Sequence, residues 1–310
     1  MNRITKLFII IPLVITTLGL AVFSMLYTPD IPLEALKEKY ADEKSRFLNI
    51  EGINVHYQQI GKGPDLVLLH GTGASLHSWE GWVDNLKNDF RITTLDLPAF
   101  GLTGPNKEGV YTIDYYVDFL EKFTSELGID EFYLAGNSLG GGIAWSFALN
   151  NSEKVKSLIL VDASGYPSEE IPFVFKLARN NVTSWLLTTI TPRSFIEGNL
   201  KEVYYDDTKI TESLIDRYHQ LTLSPGNRQA FVDRARHTMQ YQYNRINELN
   251  MPVLILWGKY DEWVALEDAY AFEKDLENDQ LIIYECGHLP MEELPKKSAR
   301  DVEIFLKKNY

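Results

Sequence analysis

Six short runs of apolar and β-branched residues set the tightest limit on what this chain can fold into. They are LVLLH (66–70), RITTLD (91–96), FYLAG (132–136), SLILVD (157–162), VLILWG (253–258) and LIIYE (281–285). Runs of this length without polar alternation suit strands buried on both faces of a parallel sheet. Helical stretches at 112–127, 139–149 and 266–276 separate several of them. Strand alternating with helix gives an α/β class, a doubly wound and mostly parallel sheet. Ahead of these, RFLNIEGINVHYQQIG (46–61) reads as two short strands joined at 51–54.

One interval breaks the alternation. About 90 residues between Asp162 and Pro252 hold no buried-strand run, and a structureless loop of that length does not fit a compact domain. The segment is helical in composition and rich in aromatics, among them Phe175, Trp185, Phe195, Tyr218 and Phe231. It reads as a helical cap inserted into the sheet domain. The expected division is an N-terminal hydrophobic anchor at 1–27, a linker or surface helix at 28–45, a core at 46–163 and 250–310, and a cap at 164–249.

The anchor rests on LFIIIPLVITTLGLAVFSMLY (7–27), which carries no charge. About 20 such residues span a bilayer as a helix. Arg3 and Lys6 precede it while Asp30 and Glu34 follow, so the positive-inside rule places the remainder of the chain on the extracytoplasmic side. A secreted protein released by signal cleavage is the alternative, but no A-x-A site closes the run. The net charge of −13 and the lack of a Lys/Arg cluster argue against a nucleic-acid partner. Cys286 is the single cysteine, so no intrachain disulfide can form.

The chemistry centres on GNSLGG (136–141), which follows the strand run FYLAG and opens a helical stretch. It matches G-x-S-x-G, in which the serine occupies a strained strand-to-helix turn and the glycines two before and two after it avoid clashes. Ser138 is the expected nucleophile. A serine hydroxyl needs a base, and GHLPMEELP (287–295), after the last strand run, supplies His288. His56, His219 and His237 fit less well by position. The base needs an acid, and WGKYDEW (257–263) supplies Asp261, giving the order Ser, Asp, His. Glu262 and Asp162 are alternatives for that role, with Asp162 read as a structural or hinge residue.

A tetrahedral intermediate also needs backbone donors for its oxyanion. The amides of Leu139 and of Thr72, in HGTGAS (70–75), are expected to supply them, with Gly71 and Gly73 letting that loop approach closely. His70, Trp79 and Asp96 read as packing or loop supports.

Together HGTGAS, DLPAFG (96–101), GNSLGG, LVDASGYP (160–167), WGKYDEWV and GHLPMEELP resemble the α/β-hydrolase superfamily over residues 46–310. The resemblance is nearest to bacterial lipases and esterases with an HGTGAS-type oxyanion loop and an N-terminal hydrophobic segment. It implies ester hydrolysis through an acyl-enzyme with no metal or organic cofactor. Haloalkane dehalogenases and epoxide hydrolases of this superfamily use aspartate where Ser138 stands. Carbon–carbon bond hydrolases share a GNS-x-GG motif, but usually place tryptophan after the catalytic histidine, where this chain has Leu289.

The expected function is therefore a serine carboxylic-ester hydrolase acting on a small-molecule or lipid ester, tied to the membrane by its N-terminal segment. The aromatic cap is expected to form an apolar acyl pocket suited to medium or longer chains. Two alternatives stand beside it. A carbon–carbon hydrolase would need a cation for its substrate carboxylate, with Arg179, Arg193, Arg228, Arg234 and Arg236 as candidates. A non-catalytic binding module would have no need for three ordered triad residues.

Overall fold

The computed structural model describes residues 23–168 and 171–309, together with positions 14, 16–19 and 21. Eight strands form one sheet: β1 (Ser45–Ile50), β2 (Ile53–Gly61), β3 (Asp65–Leu69), β4 (Arg91–Leu95), β5 (Phe132–Asn137), β6 (Val155–Val161), β7 (Val253–Gly258) and β8 (Asp279–Tyr284). Their order is β1-β2-β4-β3-β5-β6-β7-β8. β2 runs antiparallel to both of its neighbours, and every pairing from β4 to β8 is parallel. This is the mostly parallel α/β sheet that the six apolar runs imply, and it agrees with the hydrolase resemblance of the motifs.

The side-chain period of two explains why the central runs lack polar alternation. Val67, Leu69, Leu134, Leu158, Leu160 and Ile255 join one core cluster with the helices Ile113–Glu126 and Leu139–Asn150. The alternate residues Leu66, Leu68, Ile159, Val161, Leu254 and Leu256 join a second cluster with Trp79, Trp82 and the helix Pro295–Lys308. Each face of the sheet is thus covered by helices, and apolar side chains serve on both.

β8 departs from that expectation. It lies at the sheet edge with its residues only half covered, and Ile283 is 38% exposed. Its apolar run has the composition of a central strand, but it pairs on one side only. The stretch at 28–45, expected as a linker or a surface helix, takes the helical form and is docked rather than solvated. It contains the helix Leu33–Tyr40, whose Leu36 is buried against Leu102 and Leu221. Ile31 N donates to Leu223 O at 2.8 Å, so this stretch is docked on the insertion.

Between β6 and β7 the described residues form five α-helices: Phe173–Arg179, Asn181–Thr189, Arg193–Val203, Glu212–Thr222 and Asn227–Arg236. Local capping sets several of their starts. The Asn180 side chain accepts from the amides of Val182 and Thr183, and Thr211 accepts from Leu214 N. Gly226, at φ +84°, takes the left-handed turn that begins the last one. This is the helical insertion expected from the missing strand runs.

Most of the expected anchor at 1–27 lies outside the described residues. Its described positions 14, 16–19, 21 and 23–26 are helical. Among the described residues no helix is long and apolar enough to cross a membrane.

Candidate active site

Ser138 stands between β5 and the helix Leu139–Asn150 with φ +53° and ψ −117°, a conformation that L-residues rarely adopt. Three hydrogen bonds hold it there. Its N–H donates to Val161 O at 3.0 Å, and its carbonyl accepts from the amides of Gly142 and Ser164, each at 3.0 Å. The flanking glycines are forced by the same turn. A Cβ on Gly136 would lie 2.1 Å from Gly140 O, and one on Gly140 would lie 2.2 Å from Leu69 O. Neither gap admits a carbon, so the chain could not make this turn with any side chain at either position.

His288 and Asp261 meet at the ends of β8 and β7. His288 Nδ1 and Asp261 Oδ2 are 2.6 Å apart, and both side chains are buried. The other carboxylate oxygen, Oδ1, accepts from Trp263 N at 2.7 Å and Val264 N at 3.0 Å. Two amides thus hold the acid in place, and it orients the imidazole with Nε2 free for a proton transfer. The loop carrying His288 is tied down by the buried carboxamide of Asn137, whose Nδ2 donates to His288 O at 3.0 Å and Val161 O at 3.1 Å. Glu293, also buried, accepts from the amides of Gly287, Tyr205 and Asp206, joining the same loop to the insertion. Among the described residues no hydrogen bond joins Ser138 Oγ to the His288 ring. Such contacts often tighten only when substrate binds.

The loop after β3 packs against the serine turn. A Cβ on Gly71 would approach Asn137 Oδ1 to 2.7 Å and Ser138 Cβ to 3.1 Å, so Gly71 does permit close approach. Gly73 does not. It has open space around it and a φ of +76°, so it serves the backbone conformation. His70 fixes this loop: its Nε2 accepts from Leu97 N at 2.9 Å while Nδ1 donates to Gly71 O at 2.7 Å. Burial, against the pull of Asp96, lowers the His70 pKa and keeps it neutral for that bonding. Asp96 accepts from His56 and from the amides of Leu76 and Leu102. Burial opposes its charge, but the hydrogen-bonded His56 outweighs it and holds its pKa at about 2. His56 and Asp96 are therefore supports of the loop. Thr72 lines the clefts beside it, and Leu139 opens its helix with an amide that has no intrahelical acceptor.

Two cavities meet at this point, sharing Thr72 and Trp263. One, of about 110 Å³, reaches from His288 into the insertion between Val174, Leu187, Ile196, Leu200 and Phe231. The other, of about 480 Å³, opens beside Ser138 and is lined by more polar groups.

Several side chains fall elsewhere than the sequence suggested. Glu262 is exposed and plays no part in the cluster. Asp162 is fully buried at the end of β6 with φ +44°, its Oδ1 accepting from Gly258 N at 2.7 Å. Its carboxyl lies beside Asp261 and His288; the sequence offered it as an alternative acid or a structural residue, but not as the neighbour of Asp261. Those three residues could in principle hold a metal ion, but the Asp261 oxygens and His288 Nδ1 are already committed to one another and to backbone amides, which leaves Asp162 Oδ2 as the unengaged carboxyl oxygen. Trp263, whose ring lies 5.8 Å from that of His288, and Asn137 also went unrecognised, although both sit inside the quoted motifs. Cys286 is buried, and burial raises its thiol pKa far from a nucleophile's range. Arg193 pairs with Asp216 and Glu212, and Arg228 with Asp30.

The sequence pattern of the alpha/beta hydrolase fold matches residues 64–295. The chain belongs to the α/β-hydrolase fold family. This hydrolase is 29% identical over 273 residues to the 2-hydroxy-6-oxo-6-(2'-aminophenyl)hexa-2,4-dienoic acid hydrolase of Metapseudomonas resinovorans, covering 84% of this chain and 90% of that one. Among solved structures it resembles a bacterial membrane phospholipase A (TM-score 0.75, 22% identity, 100% of this chain and 99% of that one). It also resembles a thermophilic esterase from Thermogutta terrifontis (TM-score 0.73, 23% identity, 86% and 98%). At these identities the two structural likenesses speak for the fold of the hydrolase, and its chemistry must be argued from its own residues.

Proposed function

We propose that this hydrolase cleaves carboxylic esters through an acyl-enzyme formed on Ser138. The observation that carries the reading is the 2.6 Å contact of His288 Nδ1 with Asp261, held by two amides, at one of two adjoining cavities of which the other opens on Ser138, a serine at a positive φ. Ser138 Oγ attacks the acyl carbon as His288 Nε2 takes its proton. The amides of Thr72 and Leu139 receive the oxyanion. His288 then gives the proton to the departing alcohol, and the acyl chain stays in the apolar cavity. Water, deprotonated by His288, releases the acid. Asp261 keeps the tautomer and stabilises the imidazolium throughout.

The membrane attachment belongs to the same proposal. The apolar segment 7–27 would hold the catalytic part at the extracytoplasmic face. Phe23 stacks on Trp185 of the insertion at 5.8 Å, and Thr28 N donates to Thr189 O, so the end of the segment is continuous with the part that covers the site. The apolar cavity reaching from His288 into the insertion supports a lipid ester as substrate. Release of the full-length protein by alkaline carbonate would overturn the attachment.

The test of the chemistry is hydrolysis of nitrophenyl esters of increasing acyl length by wild type and Ser138→Ala. Clear activity that collapses in the variant is expected. Wild-type inactivity on every ester would favour a carbon–carbon bond hydrolase, a reading supported by the Metapseudomonas relative. Failure of Ser138 to react with a fluorophosphonate as well would favour a non-catalytic module.

A further inference from the structure

The cleft beside Ser138 contains a cation that the hydrolytic steps leave unused. Arg234, on the helix Asn227–Arg236, lines this cleft and is only 9% exposed. Its guanidinium carbon lies 5.2 Å from the centre of the Phe175 ring, and its Nε has no hydrogen-bond partner. Arg179, at the end of the helix Phe173–Arg179, lines the same cleft. Its Nε donates to Ala235 O at 2.8 Å, which fixes its stem against the Arg234 helix.

The other arginines of the insertion are answered. Arg193 and Arg228 have carboxylates, and Arg236 donates to Ser184 and Asn181. Among the described residues no carboxylate pairs with Arg234 or Arg179. A buried cation without a counter-ion is costly, and burial pulls the Arg234 pKa below its ordinary value, with Arg179 adding to the effect. The guanidinium nonetheless stays charged near neutral pH. An anion entering the cleft would relieve both terms, and a planar fork of N–H donors suits phosphate or carboxylate oxygens. Asp268 is the acidic residue among the cleft's described lining. Burial first, then Glu267 and Asp261, push its pKa up to about 6, which weakens its opposition in mildly acidic solution.

The arrangement of the two cavities gives the anion its place in a substrate. They meet at Thr72 and Trp263, between His288 and Ser138. The apolar cavity suits an acyl chain, which leaves the polar cleft for the alcohol part. We propose that Arg234 and Arg179 form a subsite for an anionic group, phosphate or carboxylate, carried on the alcohol side of the scissile ester. This inference rests on the ester-hydrolase reading above and narrows its substrate class to anionic esters.

Two matched pairs test it: octanoylglycerol against octanoylglycerol 3-phosphate, and methyl 4-octanoyloxybenzoate against 4-octanoyloxybenzoate, each below its aggregation concentration. Wild type is expected to show a kcat/KM at least about tenfold higher for the anionic member of one pair or both. The phosphate pair alone would mark a phosphate subsite, the benzoate pair alone a carboxylate subsite, and both a general anion subsite. Arg234→Gln is expected to lower the anionic-to-neutral ratio by about tenfold, mainly through KM. Arg179→Gln, at an exposed position that does not threaten folding, should lower it by a smaller factor.

Inorganic phosphate should inhibit wild type and lose potency in both variants. Hydrolysis through Ser138 with no anionic preference in either pair would overturn the subsite and leave the ester-hydrolase reading intact. An equal fall for both members of a pair in both variants would likewise overturn it, since that is what a merely structural pair of arginines would give. Absence of Ser138-dependent turnover on all four esters would overturn the ester-hydrolase reading itself, and the subsite with it.

Discussion

Asp162 and Asp261 place a carboxyl oxygen each within 4.8 Å of the other at the adjoining ends of β6 and β7, with a His288 ring nitrogen equally near. Both are buried, and only Asp261 has its oxygens fully engaged by amides and imidazole. Asp162 Oδ2 has no partner of its own. Two carboxylates cannot both ionise cheaply in such a place. Burial first, and the Asp261 charge second, hold the Asp162 pKa well above its ordinary 3.8. A proton on Oδ2 lets Asp162 donate to Asp261, so that the pair is joined by a hydrogen bond in place of a repulsion.

A pH dependence follows with a definite sign. Below the ordinary value both folded and unfolded Asp162 are protonated, and the group gives no slope. As pH rises above 3.8 the unfolded chain ionises while the folded one keeps its proton, so stability falls until the native pKa is passed. The limiting slope for one proton is about 1.4 kcal/mol per pH unit. Asp162→Asn removes this slope. Urea unfolding of the variant should therefore gain on wild type as pH rises from about 4 to 7, with esterase kcat kept within about tenfold. A stability difference independent of pH would show that Asp162 is ionised in the fold.

The Asp261→Asn variant separates charge from scaffolding. An asparagine Oδ1 still accepts from Trp263 N and Val264 N, so the loop should keep its shape. The group facing His288 Nδ1 becomes an amide, which cannot stabilise an imidazolium and favours the wrong tautomer. We expect kcat on a nitrophenyl ester to fall by about four orders of magnitude with an unchanged unfolding midpoint. A fall of less than about tenfold would transfer the acid's role to Asp162.

What the sequence made legible follows from burial. β3, β5, β6 and β7 stand out because helices cover both faces, which removes polar residues from whole runs. The elbow was legible because its glycines are required by the turn itself, Gly136 by the backbone of Gly140 four positions on and Gly140 by the neighbouring strand end at Leu69. The Asp162–Asp261 contact was not, because it joins strand ends 99 positions apart (261 − 162) and neither aspartate announces its neighbour. The insertion gave its helical character but not its pairings. Nothing local distinguishes Arg234 from Arg193 or Arg228, whose carboxylates come from other segments. The docking of the helix Leu33–Tyr40 was obscured for a similar reason. It buries the single side chain Leu36 and leaves a mostly polar sequence.

Gly71→Ala tests the oxyanion loop without touching a donor. The new methyl would press to 2.7 Å from Asn137 Oδ1 and 3.1 Å from Ser138 Cβ. Asn137 is pinned by its bonds to Val161 and His288, so the loop carrying Thr72 is the part free to shift. Losing one oxyanion donor costs about 100-fold or more in kcat. The variant should approach that loss while its fluorophosphonate labelling slows and its circular dichroism stays native. Full activity would place the second donor elsewhere.

The apolar cavity yields a prediction about size. Leu187 lines it from the helix Asn181–Thr189 and is only half-buried, so a larger side chain there can be accommodated without disrupting the core. Leu187→Trp should fill part of the space between Leu200 and Phe231, which line the same cavity. Each methylene lost from the bound chain removes about 0.8 kcal/mol of apolar burial. Rates on long-chain nitrophenyl esters should then drop by about tenfold for every two carbons excluded, while short-chain esters are spared and the optimum moves to shorter acyl groups. The comparison needs only the ratio of octanoate to butyrate hydrolysis in the two proteins. An unchanged ratio would place the acyl chain in the cleft beside Ser138 and would remove the apolar cavity from the reaction path.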